Sequence, residues 1–341
     1  MKSKSWLLLG LIIGLLIFSS ISFAEVDKWT KKADMPTGRG FLSTSVVNGK
    51  IYAIGGMKNE NNVGVALRTV EAYDPALDKW TTKTDMPTAR CYMIACAVNG
   101  KIYVIGGMTS VAAACSMVEV YDPVSDKWTK RDGMPIARFC LAGAVVKGRI
   151  YAIGGATDRV LQGNNVLEIC TLAVEEYDPI SNKWTEKADM PTARFGFAAV
   201  EVNSKIYCIG GRDNDNIFSI VEEYDPTLDK WTKKADMPTP RCFFSVSAVN
   251  SKIFAFGGGN RNGKVLTTEE YDPREDKWTK KTDMTTEQYG LSSNSVNGKI
   301  YAIGGYNSGY LSTVEEYDTG FTGESVKSQC KLAATWGEIK K

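Results

Sequence analysis

Five arginines stand in one recurring phrase. Arg39 closes "MPTGR", Arg90 and Arg194 close "MPTAR", Arg138 closes "MPIAR" and Arg241 closes "MPTPR", while "MTTEQ" puts Gln288 in the sixth place. Guanidinium groups repeated in this way could hold carboxylates, because each offers a planar fork of donors that matches an acid. A second series runs in phase with them, Glu71, Glu119, Glu175, Glu222 and Glu269. The arginines therefore have two readings: they are presented on a binding face, or they pair with these glutamates and fasten the repeats together.

Other groups suited to chemistry are few. Asp158, Arg159 and Glu168 lie in one long loop, and Asp213 and Asp215 follow the fourth Gly-Gly. Histidine is absent from the whole chain, which removes Ser-His-Asp and Cys-His nucleophile systems and the imidazole metal sites. Asp-rich turns such as "YDPALDKW" read as turn chemistry rather than calcium loops, the "DKW" charges as solvated, and the Gly-Gly doublet lacks the helix and lysine of a phosphate cradle. No metal, cofactor or catalytic residue is expected, and binding leads over catalysis.

The elements that must position these residues follow from a repeat. Gly-Gly recurs at 55, 106, 154, 210, 257 and 304 after Ile-Tyr-x-Ile or a variant. Tyr73, Tyr121, Tyr177, Tyr224, Tyr271 and Tyr317 follow, and a Trp stands seven residues beyond the first five of them. Each copy parses into four strands. A small-apolar run ends in Asn-Gly or an equivalent such as Asn99-Gly100, suited to a two-residue hairpin turn. "KIYAIGG" is the second strand, "TVEEYD" the third, and "PxxDK" turns into the fourth, "KWTKK". Such sheets cannot stand alone and must pack face to face, so six of them close into a ring. The missing sixth Trp is supplied by Trp29, whose strand completes the last sheet and pins the chain's two ends together.

Gly-Gly, a spaced Tyr and a Trp seven residues on, at a period near fifty, resemble Kelch repeats. The resemblance covers residues 27 to 318 and implies an all-β fold: a six-bladed β-propeller with four antiparallel strands per blade, the last blade closed by an N-terminal strand. Thr268, Thr285 and Gln288 depart from the pattern. Kelch propellers of the substrate-adaptor type hold acidic peptides on arginines, so the resemblance implies a ligand site of Arg39, Arg90, Arg138, Arg194, Arg241 and Gln288. Phe139, Phe195, Phe243 and Tyr289 beside them would offer surfaces for stacking. The lack of histidine sets the chain apart from galactose oxidase, whose copper needs imidazoles. The alternative function is a sugar-acid isomerase similar to N-acetylneuraminate mutarotase, working through Arg and Glu.

Copy lengths differ only between the Gly-Gly and the Tyr, and copy three carries the longest insertion, "ATDRVLQGNNVLEICTLA". In an up-and-down sheet that loop opens on the face that also receives the "MPTAR" connections. Insertions in repeat proteins map to the binding face, so the insertion is expected to raise a lip over it.

The first residues, Lys2 and Lys4 before an apolar run from Trp6 to Phe18 and then Ser22 and Ala24, have the layout of a secretory signal peptide cleaved after Ala24. An uncleaved anchor is the alternative, since the stretch approaches the roughly 20 residues that span a bilayer. Removing Lys2 and Lys4 leaves 39 basic against 39 acidic residues, so the mature chain has no general pull on nucleic acid or anionic lipid. The organisation expected is a signal peptide at 1–24, a propeller at 25–318 and a tail at 319–341. It describes an exported, monomeric module that binds a protein, peptide or acidic glycan. Among eight cysteines, Cys115 and Cys170 occupy related places in consecutive copies and form the candidate disulfide. Cys208 replaces a small buried residue, and Cys96 and Cys140 fall in strand-like runs.

Overall fold

The computed structural model describes residues 26–61, 63–109, 113–162 and 165–321. The signal peptide and its cleavage site, Cys330 and the tail from 322 onward lie outside the described residues. No helix among those described is long and apolar enough to cross a membrane.

Six four-stranded antiparallel sheets follow one another along the chain. Blade 1 consists of Ser43–Val47, Lys50–Ile54, Val70–Asp74 and Lys79–Lys83, and blades 2 to 5 repeat this order. Blade 6 takes three strands, Ser292–Val296, Lys299–Ile303 and Val314–Asp318, from the end of the repeat region. Its fourth is Lys28–Lys31, which pairs Trp29 with Tyr317 and Lys31 with Glu315. The first strands of successive blades adjoin one another all the way round, so the sheets form a closed ring with those strands innermost.

The local sequence explains each piece. The first hairpin of every blade turns through two residues of positive φ, such as Asn99 at 50° and Gly100 at 73°, the geometry that matches the twist of the flanking strands. The second strand's Ile, Tyr and Ala positions are buried on both faces, because each sheet is sandwiched between two others. The Gly-Gly doublet solves a crowding problem. A Cβ at Gly55 would stand 2.5 Å from the Arg90 carbonyl of the next blade, and one at Gly56 would stand 2.8 Å from the Gly40 carbonyl. In return the Gly56 N–H donates to the Arg90 carbonyl at 2.9 Å, and Gly107, Gly155, Gly211, Gly258 and Gly305 repeat this staple to the next blade.

The Asp of "DKW", expected to be a solvated turn residue, has a structural task. Asp78 accepts the Tyr73 hydroxyl at 2.6 Å and the Ala33 N–H at 2.9 Å, while the Trp80 indole donates to the Ala33 carbonyl at 2.9 Å. Each blade thus grips the connection that precedes it, and the Tyr73 hydrogen bond holds the Asp78 carboxyl below its usual range. In blade 6 the same grip crosses the chain ends: Asp27 accepts the Tyr317 hydroxyl and the Thr282 N–H, and Trp29 donates to the Thr282 carbonyl at 3.1 Å.

Candidate functional site

Each Arg or Gln of the connections is followed by a residue that bridges to the start of a loop between second and third strands. The pairs are Gly40 with Met57, Cys91 with Met108, Phe139 with Ala156, Phe195 with Arg212, Cys242 with Gly259 and Tyr289 with Tyr306. Connections and variable loops therefore share one face of the disc. The insertion of blade 3 is a two-stranded ribbon, Ala156–Gln162 against Asn165–Cys170. Shorter ribbons stand on blade 1, Met57–Glu60 with Val63–Ala66, and on blade 5, Gly259–Asn260 with Gly263–Lys264.

The arginines do not reach that face. Arg39, Arg90, Arg138, Arg194 and Arg241 are each 0% exposed, and so is Gln288. Their partners are the in-phase glutamates: Glu71 at 2.5 Å, Glu119 at 2.7 Å, Glu175 at 2.5 Å, Glu222 at 2.5 Å and Glu269 at 2.6 Å. Other terminal N–H groups reach carbonyls at the ends of second and third strands, as Arg90 does with Gly106 at 2.8 Å and Met117 at 3.2 Å, while the Nε groups of Arg39, Arg90, Arg138 and Arg194 are buried without a partner. Burial pulls the Arg39, Arg90, Arg138 and Arg241 guanidiniums below their ordinary pKa, and the paired glutamates oppose the shift. The geometry is that of a blade fastener, because a buried charge is tolerated only when paired. For Arg194 the ion pair and the same burial carry the argument.

The fastener has a fixed composition, which exposes its exceptions. In blades 1, 2, 4 and 5 a threonine, Thr37, Thr88, Thr192 or Thr239, donates at 2.8 Å to the second carboxylate oxygen. Blade 3 has Ile136 there; Glu175 Oε1 is left without a partner, and burial raises its pKa. Blade 6 keeps the hydroxyl, from Thr285, but lacks the guanidinium. Gln288 only accepts the Thr313 hydroxyl at 3.2 Å.

What faces the axis on the loop side is aromatic. Phe41, Tyr92, Cys140, Gly196, Phe243 and Gly290, two places beyond the arginines and Gln288, all have φ between 50° and 66°. Their backbones form a closed circle of hydrogen bonds. Phe41 N–H donates to Gly290 at 2.6 Å, Gly290 to Phe243 at 2.7 Å, Phe243 to Gly196 at 2.7 Å, Gly196 to Cys140 at 3.0 Å, Cys140 to Tyr92 at 2.9 Å, and Tyr92 to Phe41 at 3.0 Å. Cys140, expected inside a strand, sits in this circle ahead of one, and burial holds its thiol well above the usual range. The circle surrounds a cavity of about 110 Å³ floored by apolar side chains such as Leu42, Met93 and Phe244. Phe41, Tyr92 and Phe243 cluster at its mouth, with ring centroids 4.5 to 6.2 Å apart.

Cations reach this mouth from the loops. The Arg159 guanidinium lies 5.0 Å over the Phe139 ring and that of Arg212 lies 5.4 Å over Phe195. Arg159 also pairs with Glu168 at 3.4 Å across the blade 3 ribbon. Asp213 is engaged locally, accepting the N–H groups of Asp215 at 2.8 Å and Asn216 at 2.6 Å. Asp158 accepts the N–H of Arg159 at 2.7 Å. The loops are tied into a wall. Asn214 exchanges two hydrogen bonds with the Glu168 backbone at 2.9 and 3.0 Å, Arg261 donates to the Asp215 carbonyl, and Lys264 donates to Asn307. Above the wall the blade 3 ribbon exposes Val160, Leu161, Val166 and Ile169, with Leu161 81% exposed. Arg212, the axial circle and this apolar ribbon tip were not singled out by the sequence reading. Gly196 and Gly290 two places past the connection arginine or Gln288 were the available sign of positive φ.

Cys115 and Cys170 are free thiols rather than a disulfide. Their sulfurs rest on the Ala113 and Glu168 carbonyls in loops of different blades, at 3.7 and 3.9 Å.

Comparison with known proteins agrees with this architecture. The family model described as the KLHDC2/KLHL20/DRC7 Kelch-repeats domain matches residues 15–155 and 142–322. Beta-scruin of Limulus polyphemus is 30% identical over 202 residues, 57% of this chain and 21% of that protein. Kelch-like protein 25 of Xenopus tropicalis is 31% identical over 205 residues, 59% of this chain and 34% of that protein. Alpha-scruin of Limulus polyphemus is 39% identical over 83 residues, 24% of this chain and 9% of that protein. The chain thus spans about a third or less of these relatives' length.

Proposed function

Since the chain belongs to the Kelch-repeat family, a family of protein-interaction propellers, we propose that it is an exported, non-catalytic module that seats a peptide segment of a partner protein on its loop face. The observation that carries this reading is the axial mouth: three aromatic rings around a small apolar cavity, with Arg159 and Arg212 laid on neighbouring rings. A cavity of this size accepts one side chain, and cations stacked on aromatics favour an acidic group beside it. The ligand class is therefore a peptide that pairs an apolar anchor with a carboxylate. The five buried arginines serve the reading only indirectly, by holding the connections from which the mouth is built.

The test is a random-peptide display selection on the mature chain, followed by affinity measurement on enriched clones. Enriched sequences are expected to combine an aromatic or aliphatic residue with Asp or Glu. Phe243→Ala and Arg212→Ala are each expected to weaken binding about ten-fold, while Lys130→Ala on the outer strand of blade 2 leaves it unchanged. Clones that ignore the first two substitutions and respond to the third would refute the assignment.

A further inference from the structure

Blade 6 differs from the other five at the fastener, and the difference falls on the blade that closes the ring. Glu315 is 1% exposed and Gln288 is 0% exposed. Glu315 Oε2 and Gln288 Nε2 are both buried without a hydrogen-bond partner. In every other blade the corresponding carboxylate has a guanidinium within 2.7 Å. The groups around Glu315 offer no substitute. The connection contributes Thr285 and Thr286, whose hydroxyl and N–H hydrogen bonds favour the carboxylate but carry no charge, and Gln288; the second strand contributes Ala302 opposite it, and the closing strand contributes Lys31, whose ammonium pairs with Asp34 at 3.3 Å and pulls on Glu315 less strongly than burial opposes it. Neighbouring Glu316 has its own partners in Lys299 at 2.7 Å, Tyr301 at 2.6 Å and Lys32 at 3.4 Å.

From this geometry we infer that Glu315 is a proton-operated latch on ring closure: protonated, it lets the sixth blade hold the N-terminal strand firmly, and ionised, its uncompensated charge loosens that strand. A carboxylic acid can be buried on hydrogen bonds alone, whereas a carboxylate with no cation cannot be buried cheaply. Burial pushes the Glu315 carboxyl up to about 7, against 4.5 in the open chain. The sign follows from proton linkage. The folded state binds the proton more tightly, so the contribution is fully present below about pH 4.5 and is lost as the pH rises through about 7. Location gives the latch its reach. Glu315 is the register partner of Lys31 in the closing strand. The seams on both sides of blade 6 are bridged by hydroxyls, Thr44 with Ser292 at 2.8 Å and Ser245 with Ser293 at 2.7 Å, so this sector is the most polar part of the inner wall. The blade 6 loop also abuts the ligand face through Tyr289 and Tyr306.

The experiment is hydrogen exchange on the full chain between pH 5.5 and 8, corrected for the intrinsic rate. Protection of Lys28–Lys31 is compared with that of Lys230–Lys234, the equivalent strand of blade 4. Protection at Lys28–Lys31 should fall by about ten-fold or more across this range while Lys230–Lys234 stays level. Gln288→Arg, which installs the fastener of the other blades, should remove the pH dependence and keep the strand protected at pH 8. Glu315→Gln, which cannot ionise, should also flatten the profile and serves if the arginine does not fit. Equal pH dependence in the wild type and in whichever variant folds, or an equal loss at both strands, would overturn the inference.

Discussion

The Arg–Glu fastener shows how a residue that looks like a ligand hook becomes a bolt. Each guanidinium spends its terminal N–H groups on a carboxylate and on backbone carbonyls, as Arg241 does with Glu269 at 2.6 Å, Gly257 at 3.1 Å and Thr267 at 2.8 Å. Arg90→Ala would leave Glu119 buried and uncompensated, and the expected loss is about 3–5 kcal/mol in urea unfolding. The same variant, under conditions where it is folded, should bind selected peptides as the wild type does. A stability loss under 1 kcal/mol together with abolished binding would return the arginines to the ligand site. Their partnership was half legible in the sequence, since the glutamates recur in phase with them. What could not be read there is depth: Phe41, Tyr92 and Phe243, two places after an arginine, line the axial mouth, while the arginines and the residues next to them, such as Cys91 and Phe139, stay buried behind it.

At the scale of the element, the hairpin turns record how closely local chemistry matches the fold. Four blades turn at a glycine, Gly49, Gly100, Gly148 and Gly298, with φ between 73° and 78°. The other two use Ser204 at 62° and Ser251 at 60°. A Cβ in the left-handed region costs about 1–2 kcal/mol, partly offset by the extra freedom glycine has when unfolded. Ser204→Gly is therefore expected to raise stability by about 0.5–1 kcal/mol, seen as a higher unfolding midpoint. The Ser204 N–H bond to Glu201 at 2.6 Å, being backbone, survives the change. An unchanged or lower midpoint would mean that the serine makes a contact worth more than the strain. These turns were readable because Asn-Gly announces itself, and the ribbon of blade 3 was readable as surplus length. The axial circle was not, because Phe41, Tyr92, Cys140 and Phe243 adopt positive φ only under the demand of hydrogen bonds from the neighbouring blades. Likewise, the repeat phase places Cys115 and Cys170 in consecutive blades, but no spacing rule could show that their thiols stay unjoined.

For the whole molecule, the question is what a ring gains from being sewn shut by its own first strand. Five blades receive their fourth strand through a short turn, so losing it costs only local contacts. Blade 6 receives Lys28–Lys31 from the far end of the chain, and that pairing joins the ends of an entire propeller. Trp29 concentrates the bond. It is 4% exposed, its indole N–H approaches both Thr268 Oγ1 and the Thr282 carbonyl at 3.1 Å, and its ring packs against Phe256 and Tyr317 at about 5 Å. Trp128 holds the same place in blade 2 but is half-buried, with one bond at 2.9 Å to Thr84. Trp29→Ala is thus expected to cost about 3–5 kcal/mol, the range for deleting a buried large aromatic, and Trp128→Ala clearly less. Calorimetry distinguishes the two by more than magnitude. If closure is what makes six blades unfold as one unit, Trp29→Ala should broaden the transition, with the van't Hoff enthalpy dropping below the calorimetric one, whereas Trp128→Ala should leave the two enthalpies equal. Equal losses and a single sharp transition in both variants would show that the seam is no more critical than any other turn, and that cooperativity resides in the packing between blades.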